Sequence, residues 1–359
     1  MKAAIISLGS KSSKMTAESM EKYFDSVDMI QLRNIEVTLG KNGGVLYEGE
    51  PFPYYDCVFV KGSFRYAPLL RAITAVLKNK IPFLPMPEQS FTVIHNKLLT
   101  HLALEQHHVP MPKTYLSSTV EAAKDLLERV NYPIVMKFPE GTQGKGVMFA
   151  DSLASAASML DALGALNQPF IIQEYIETGG SDIRALVVGE KVVAAMKRQA
   201  KDGELRSNTH SGGMPEAVQL DRQTINIALD TAKALGVDIC GVDILQGPVG
   251  PVVIEVNLSP GLQGISAVST INVPDAIAKF LYDKTSAIVS KQKQTAAKEV
   301  MKELAIDNGV AQEVIASIQL RGDKIILPEI VNKLARLSDR KDYAIKATKG
   351  KIEIKEFTL

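Results

Sequence analysis

The stretch that most constrains this chain is Cys240-Gly-Val-Asp-Ile-Leu245, a Gly/Pro turn, then Val252-Val-Ile-Glu-Val-Asn257-Leu-Ser-Pro-Gly261. Two runs rich in β-branched residues flank Gln246-Gly-Pro-Val-Gly-Pro251 and predict antiparallel strands joined by a short loop. Each run carries an acid where a core strand should carry none. Side chains alternate across a strand, so Glu255 and Asn257 share a face, and a hairpin brings Asp243 of the partner strand to the same side. Two carboxylates and a carboxamide are hard donors that suit Mg2+, an ion that keeps several waters and is usually shared with substrate phosphates. An uncompensated buried carboxylate costs roughly several kcal/mol, which a divalent cation offsets. A salt bridge at a sheet edge is the other reading of the same acids.

A chain of 359 residues has length for two or three domains. Lys and Arg number 41 against 40 Asp and Glu, so no global charge argues for nucleic acid or an anionic membrane. Cys57 and Cys240 lie far apart inside apolar runs, which predicts buried reduced thiols without a disulfide framework or zinc spacing. The apolar run in Met1 to Leu8 is too short for a signal-peptide core and no stretch reaches membrane-spanning length, so the expected compartment is the cytoplasm.

Residues 1 to about 90 alternate strand and helix signals: a strand over Ala3 to Leu8, a polar helix near Thr16 to Phe24, strands at Val27 to Leu32 and Asp56 to Val60, and a helix over Ala67 to Leu77. Such alternation predicts a small open α/β sheet whose ligand crevice lies beyond the carboxyl ends of its strands. That nominates Ser7 to Ser13 and Lys61-Gly-Ser-Phe-Arg65 as rim loops. Gly9 lacks the spacing of a dinucleotide fingerprint.

Lys97 opens a predicted helix to about Gln106, and Lys137 ends the strand Pro133 to Phe138. Then Glu140-Gly-Thr-Gln-Gly-Lys-Gly146 places three glycines in six residues between two strand signals. Their backbone N–H groups can approach an anion closely, which fits a mobile lid over a nucleotide's phosphates with Lys137 and Lys97 as point charges. A helix over Leu153 to Leu163 leads to the strand Phe170 to Ile176 and to a hairpin formed by Ser181 to Val188 and Lys191 to Met196. Asp182 and Arg184 share one strand face, and Lys197-Arg198 and Arg206-Ser-Asn208-Thr-His210 add cations and amides on the connections.

Taken in order, Met136-Lys-Phe-Pro-Glu-Gly-Thr-Gln-Gly-Lys-Gly146, Gln173-Glu-Tyr-Ile176, Asp182-Ile-Arg184, Arg206-Ser-Asn-Thr-His210, Gly241-Val-Asp-Ile244 and Glu255-Val-Asn-Leu-Ser-Pro-Gly-Leu262 resemble the RimK family of ATP-grasp ligases. The resemblance implies an α/β fold with an α+β ATP-grasp core: an open α/β pre-ATP-grasp domain over 1–90 and an ATP-grasp domain over 91–290. The nucleotide would lie between subdomains of about 91–170 and 171–290. It implies ATP-dependent amide formation between an amino acid, most often L-glutamate, and an acceptor carboxylate (a coenzyme, a peptide or a protein C-terminus) through an acyl phosphate. ATP and Mg2+, with Mn2+ as a substitute, are the implied cofactors, and a homodimer or tetramer the implied assembly.

By the same resemblance, Lys97 and Lys137 contact ATP phosphates beneath the loop residues Gly141, Gln143, Gly144 and Gly146. Gln173, Glu174, Tyr175 and Ile176 frame the adenine and Asp182 takes the ribose. Arg206, Ser207 and Asn208 line the phosphate end, and Asp243, Glu255 and Asn257 hold magnesium. Arg198 or Arg206 would stabilise the tetrahedral oxyanion. Gln199 and Ser211 stand where the family often has arginines, which puts a strictly polyanionic substrate in question; Lys61, Arg65 or Lys145 would have to compensate. A ligase for another amino-acid donor, or for a coenzyme or carrier-protein acceptor, is the alternative within the class.

A helix from Val273 to about Lys298 closes this region, and residues 299–359 exceed the family's usual length. Their pattern reads as a β-α-β module in which Ile325-Ile-Leu-Pro-Glu-Ile-Val331 faintly resembles the swapped-hairpin AbrB type. An appended domain for oligomer contact or acceptor docking is one expectation; an ATP-sensing regulatory or nucleic-acid-binding protein that uses this module is the alternative of a different class.

Overall fold

Strand β1 (Lys2–Ser7) is apolar without alternation because both its faces are covered: residues 3 to 7 are all buried. The computed structural model describes residues 1–359 apart from 42, 118, 141–145, 167, 201–213, 304–316, 323, 336, 340 and 358–359. Helix α1 (Lys11–Met20) follows β1 directly, with the Ser10 hydroxyl capping it by accepting the Ser13 N–H at 3.2 Å. The helix therefore starts five residues before the expected Thr16, because Ser10-Lys-Ser-Ser13 is a cap and first turn and not a loop. Then come β2 (Ser26–Gln31), the small antiparallel sheet β3 (Ile35–Thr38), β4 (Gly44–Tyr47) and β5 (Glu50–Pro51), the fully buried β6 (Cys57–Val60), and α2 (Ala67–Leu77). Strands pair parallel in the order β2-β1-β6, the open α/β sheet expected. Cys57 is free and buried, and so is Cys240 further on.

A short helix α3 (Ser90–Val93) precedes α4 (Lys97–Gln106), where the Asn96 side chain caps the Leu99 N–H at 3.2 Å. Next are β7 (Thr114–Tyr115), α5 (Val120–Leu127), β8 (Ile134–Lys137), β9 (Val147–Ala150), α6 (Leu153–Ala165) and β10 (Ile171–Glu174). The four strands form an antiparallel sheet in the order β7-β10-β8-β9, with α5 and α6 packed against each other and a separate core around Leu127, Met136 and Leu160.

The third sheet carries the acidic hairpin. Its strands are β11 (Ser181–Val188), β12 (Lys191–Gln199), β13 (Met214–Ala217) and, after α7 (Arg222–Ala234), β14 (Ile239–Gly247) and β15 (Gly250–Asn257), antiparallel in the order β13-β12-β11-β14-β15. A bulge at Ile254 sets the hairpin's register. Ile244 pairs with Val253, yet Asp243 pairs with Glu255 and Gly241 with Asn257. Without the extra residue Asp243 would oppose Ile254. Backbone groups at the bulge are met from α4 and the segment after it: His101 hydrogen-bonds the Ile254 main chain, and the Val253 N–H donates to the Pro110 carbonyl at 2.8 Å. Helices α8 (Gln263–Val268) and α9 (Val273–Glu303) follow.

Described contacts divide the chain into units Met1–Lys293 and Gln294–Leu359, so the expected 1–90 and 91–290 regions fall in the first. There the N-terminal sheet is tied to later elements by Lys22 Nζ to Asp275 Oδ1 (2.8 Å), by an edge-on contact of Phe24 with Tyr282, and by Ser12 Oγ, which donates to Gln263 Oε1 at 2.8 Å. In the second unit the strand, helix, strand pattern resolves into two hairpins around a helix: β16 (Gln319–Arg321) with β17 (Lys324–Ile326), α10 (Glu329–Ala335), then β18 (Tyr343–Thr348) with β19 (Lys351–Glu356). Gly322, at φ +61°, takes the left-handed conformation that lets the first segment fold back. Ile345, Ile352 and Ile354 share one exposed hairpin face.

Candidate active site

One cleft of about 570 Å3 in the first unit gathers most of the described residues singled out above. It is lined by Lys97, Lys137, Gln173, Tyr175 and Ile176 on the side of the second sheet and by Asp182, Arg184, Asp243, Glu255 and Asn257 on the third. Ser7, Ser12 and Lys61 come from the N-terminal sheet and α1. Gly146 ends the glycine loop at φ +75°; a Cβ there would lie 2.1 Å from Phe138 Cδ2, so only glycine fits beside the residue after Lys137. Gly141, Gln143, Gly144, Lys145, Arg206, Ser207, Asn208, His210 and Ser211 lie outside the described residues.

Lys137 ends β8 beside its neighbour β10, and its ammonium donates to Gln173 Oε1 at 2.6 Å while the Gln173 amide donates to Thr114 Oγ1 at 2.9 Å. Gln173 is thus a rest for the lysine. Burial pushes Lys137 down to about 8, with the Glu255 charge opposing the shift and Lys97 adding to it. The Lys97 N–H donates to the Pro139 carbonyl at 2.8 Å, which fastens the start of α4 to the strand end that carries Lys137. Glu174 accepts from the Tyr115 hydroxyl at 2.7 Å, and Tyr175 stands edge-on to Phe149 with ring centroids 5.2 Å apart.

The third sheet holds a buried row of alternating charges. Arg184 grips Asp243 through two bonds, Nε to Oδ1 at 2.7 Å and Nη2 to Oδ2 at 2.6 Å. Arg198 grips Asp182 in the same bidentate way and reaches Asp243 Oδ2 at 3.0 Å. Arg198, Asp182 and Asp243 are only 2%, 5% and 4% exposed. Burial raises the Asp243 carboxyl, but the Arg184 and Arg198 charges outweigh it and hold the group below its usual value. Asp182, expected at the ribose, and Arg198, expected at an oxyanion, are members of this buried row, with Arg198 bound to both Asp182 and Asp243. Arg184, noted in the sequence only as sharing a face with Asp182, proves to be the principal partner of Asp243; the two-residue spacing of Asp-Ile-Arg on a strand was its signal.

Glu255 differs from Asp243. Burial first, and then the neighbouring Asp243 charge, push its carboxyl up, against Lys97, Arg184 and Lys137. Asn257 donates from Nδ2 to Asp243 Oδ2 at 3.3 Å, which leaves its carbonyl oxygen as the other arm of the amide. Among the described residues no group of three or more His, Cys, Asp or Glu side chains forms a metal cage. The donor set is two carboxylates and a carboxamide, and it fits an ion that takes few protein oxygens and fills its shell with water and phosphate. His101, which the sequence reading passed over, is buried on α4 and braces the bulge that aligns these donors; burial, followed by the Lys137 charge, pushes it down to about 4.

A model of the RimK-like ATP-grasp domain matches residues 94–281. The "Probable alpha-L-glutamate ligase 2" of Pseudoalteromonas atlantica is 38% identical over 286 residues, 78% of this chain and 95% of that protein. The "Probable alpha-L-glutamate ligase" of Saccharophagus degradans is 38% identical over 274 residues, 75% of this chain and 91% of that protein. In architecture the chain is similar to the ATP-grasp ligase PsnB complexed with a minimal precursor (TM-score 0.63, 16% identity, 79% of this chain and 98% of that one). It is also similar to the D-alanine-D-alanine ligase from Coxiella burnetii (TM-score 0.57, 16% identity, 84% and 99%). These structural likenesses establish an α+β ATP-grasp fold. On the domain match and the identity to these relatives, the chain belongs to the RimK-like ATP-grasp family, ligases that form carbon-nitrogen bonds.

Proposed function

We propose that this protein is an ATP- and Mg2+-dependent ligase that joins an amino acid, L-glutamate first among candidates, to an acceptor carboxylate through an acyl phosphate. The observation that carries the reading is the composition of one cleft: Lys97 and Lys137 bear on the carboxylate of Glu255 at the polar end, and Tyr175 and Ile176 offer apolar surface beyond. The relatives named probable alpha-L-glutamate ligases support the substrate. PsnB has been seen with Mg and ADP, which supports the cofactors.

In this reading Tyr175 and Ile176 flank the base and Glu174 and Gln173 line its edge. Lys137, braced by Gln173, and Lys97 hold the phosphates. Asp243, Glu255 and Asn257 would hold magnesium, with Glu255 and Asn257 presenting the oxygens not committed to guanidinium groups. The ion supplies charge neutralisation on the transferring phosphoryl group. The acceptor carboxylate oxygen attacks the γ-phosphorus and the bond to the β-phosphate oxygen breaks, releasing ADP. The amine nitrogen then adds to the acyl carbonyl, and phosphate leaves as the nitrogen loses its proton. No side-chain nucleophile is needed, so the protein's contribution is positioning and electrostatics. Asp182 and Arg198 act here as positioning residues that fix Asp243; Gly141, Gln143, Gly144, Gly146, Arg206, Ser207 and Asn208 are assigned to the phosphate end on the family resemblance.

The test is ADP release by the purified protein with Mg2+, ATP and each amino acid in turn, with and without an extract of small molecules and proteins, followed by mass spectrometry of whatever gains mass. Glutamyl additions that require ATP are the expected result. ATP bound without ADP release under any combination would replace the ligase with an ATP sensor.

A further inference from the structure

Lys61 stands just beyond the end of β6, and it is 4% exposed. Among the described residues it has no carboxylate within ion-pair range; its ammonium lies 5.3 Å from the Phe59 ring centroid, and its flank lines the cleft. A buried ammonium without a counter-charge is costly, and chains keep one where a ligand supplies the missing anion.

The surroundings are donors. Helix α1 points its first turn at the same cleft, where Ser10 and Ser12 are lining residues, and the N–H groups of an opening turn have no partners inside the helix. The Ser7 hydroxyl accepts from the Gly9 N–H at 3.1 Å, and the Ser259 hydroxyl accepts from the Gly62 N–H at 3.2 Å, so each keeps its proton to give. The contact of Gly62 with Ser259, two residues past Asn257, places Lys61 beside the proposed metal end of the cleft. It is nevertheless a separate cationic centre, carried by the N-terminal sheet, whereas Lys97 and Lys137, which bear on Glu255, come from α4 and β8. The Ser12 hydroxyl, which accepts from the Leu262 N–H at 2.9 Å, holds the start of α1 against this same loop.

We propose that Lys61, together with the Ser7 and Ser259 hydroxyls and the first turn of α1, is a subsite for a substrate carboxylate that is not the nucleotide's anion. A single ammonium flanked by hydroxyl and amide donors matches one planar monoanion better than a polyphosphate chain. The assignment rests on the ligase reading for the word substrate. The carboxylate belongs either to the incoming amino acid or to the acceptor. It also offers a replacement for the cations absent at Gln199 and Ser211.

The experiment is calorimetric titration of the full-length protein, with Mg-ADP present, using L-glutamate and, separately, L-glutamyl-L-glutamate as an acceptor mimic, for wild type, Lys61→Met and Lys61→Arg. The expected result is that at least one ligand binds wild type, that Lys61→Met weakens it roughly ten- to hundred-fold, and that Lys61→Arg restores part of the loss. Mg-ADP affinity stays at the wild-type value. Which ligand is lost identifies the source of the carboxylate. Unchanged affinity in Lys61→Met, a parallel loss of Mg-ADP affinity, or no binding of either ligand to wild type would overturn the proposal. Turnover separates this outcome from the ligase reading: carboxylate binding without ADP release sinks only the latter, and normal KM values in Lys61→Met sink only the former.

Discussion

Replacing Arg198 by Met tests whether its guanidinium is a structural or a catalytic group. Among the described residues Arg198 is the one partner of Asp182 in the buried row, and it shares Asp243 with Arg184. Its loss leaves two carboxylates for one guanidinium, with Asp182 orphaned at 5% exposure. Breaking a buried pair by removing one partner costs about 3–5 kcal/mol. Burial pushes the Asp182 carboxyl up, the Arg198 hydrogen bond pulls it down and the Asp243 charge adds to the rise, so the variant's Asp182 shifts further up. A folded-state value above the unfolded one means a contribution fully present below the ordinary Asp value, about 3.9, and lost as pH rises through the folded value. The deficit of Arg198→Met against wild type should therefore be smallest near pH 4 and full at pH 7. Urea unfolding followed by far-UV circular dichroism at both pH values measures it, since the chain has no tryptophan. Adding Asp182→Asn should recover a large part. A variant that unfolds with wild-type midpoint and loses only turnover would refute the structural account.

Three further outcomes follow from the geometry. Lys61→Met should stabilise the protein by up to about 3 kcal/mol at pH 7, because burial lowers Lys61 from 10.5 to about 8; that cost is present below about pH 8 and fades as pH rises towards 10.5, so the gain over wild type in denaturant titrations should shrink across that window. Glu255→Gln should abolish ADP release with no loss of thermal stability, since it removes a carboxyl that burial already disfavours as an anion; wild-type turnover would end its assignment to the metal. Gly146→Ala should cost at least about 1 kcal/mol and weaken Mg-ADP binding in titration calorimetry, because both its φ of +75° and the Phe138 ring oppose a Cβ.

Much of the fold was legible because local chemistry and global need agree. The apolar run of β1 and the β-branched runs of β14 and β15 each say in a few residues what the whole fold requires. The start of α1 was misplaced because serines that read as a loop serve as a cap, and the segment before α10, read as one run, hid the fold-back at Gly322 because a tight reversal leaves little trace in hydrophobic periodicity.

By itself the sequence determined the family and the acidic hairpin, since motif order and strand alternation are properties of neighbours along the chain. Only tertiary structure decided which charges meet. The single-residue bulge at Ile254 turns Glu255 towards Asp243, pairing across β11, β12 and β14 sets Arg198 opposite Asp182 and Arg184 opposite Asp243, and packing just past β6 leaves Lys61 buried with no counter-charge among the described residues. Register and burial depend on strands far apart in sequence, and they set the free energy of every charge in the cleft.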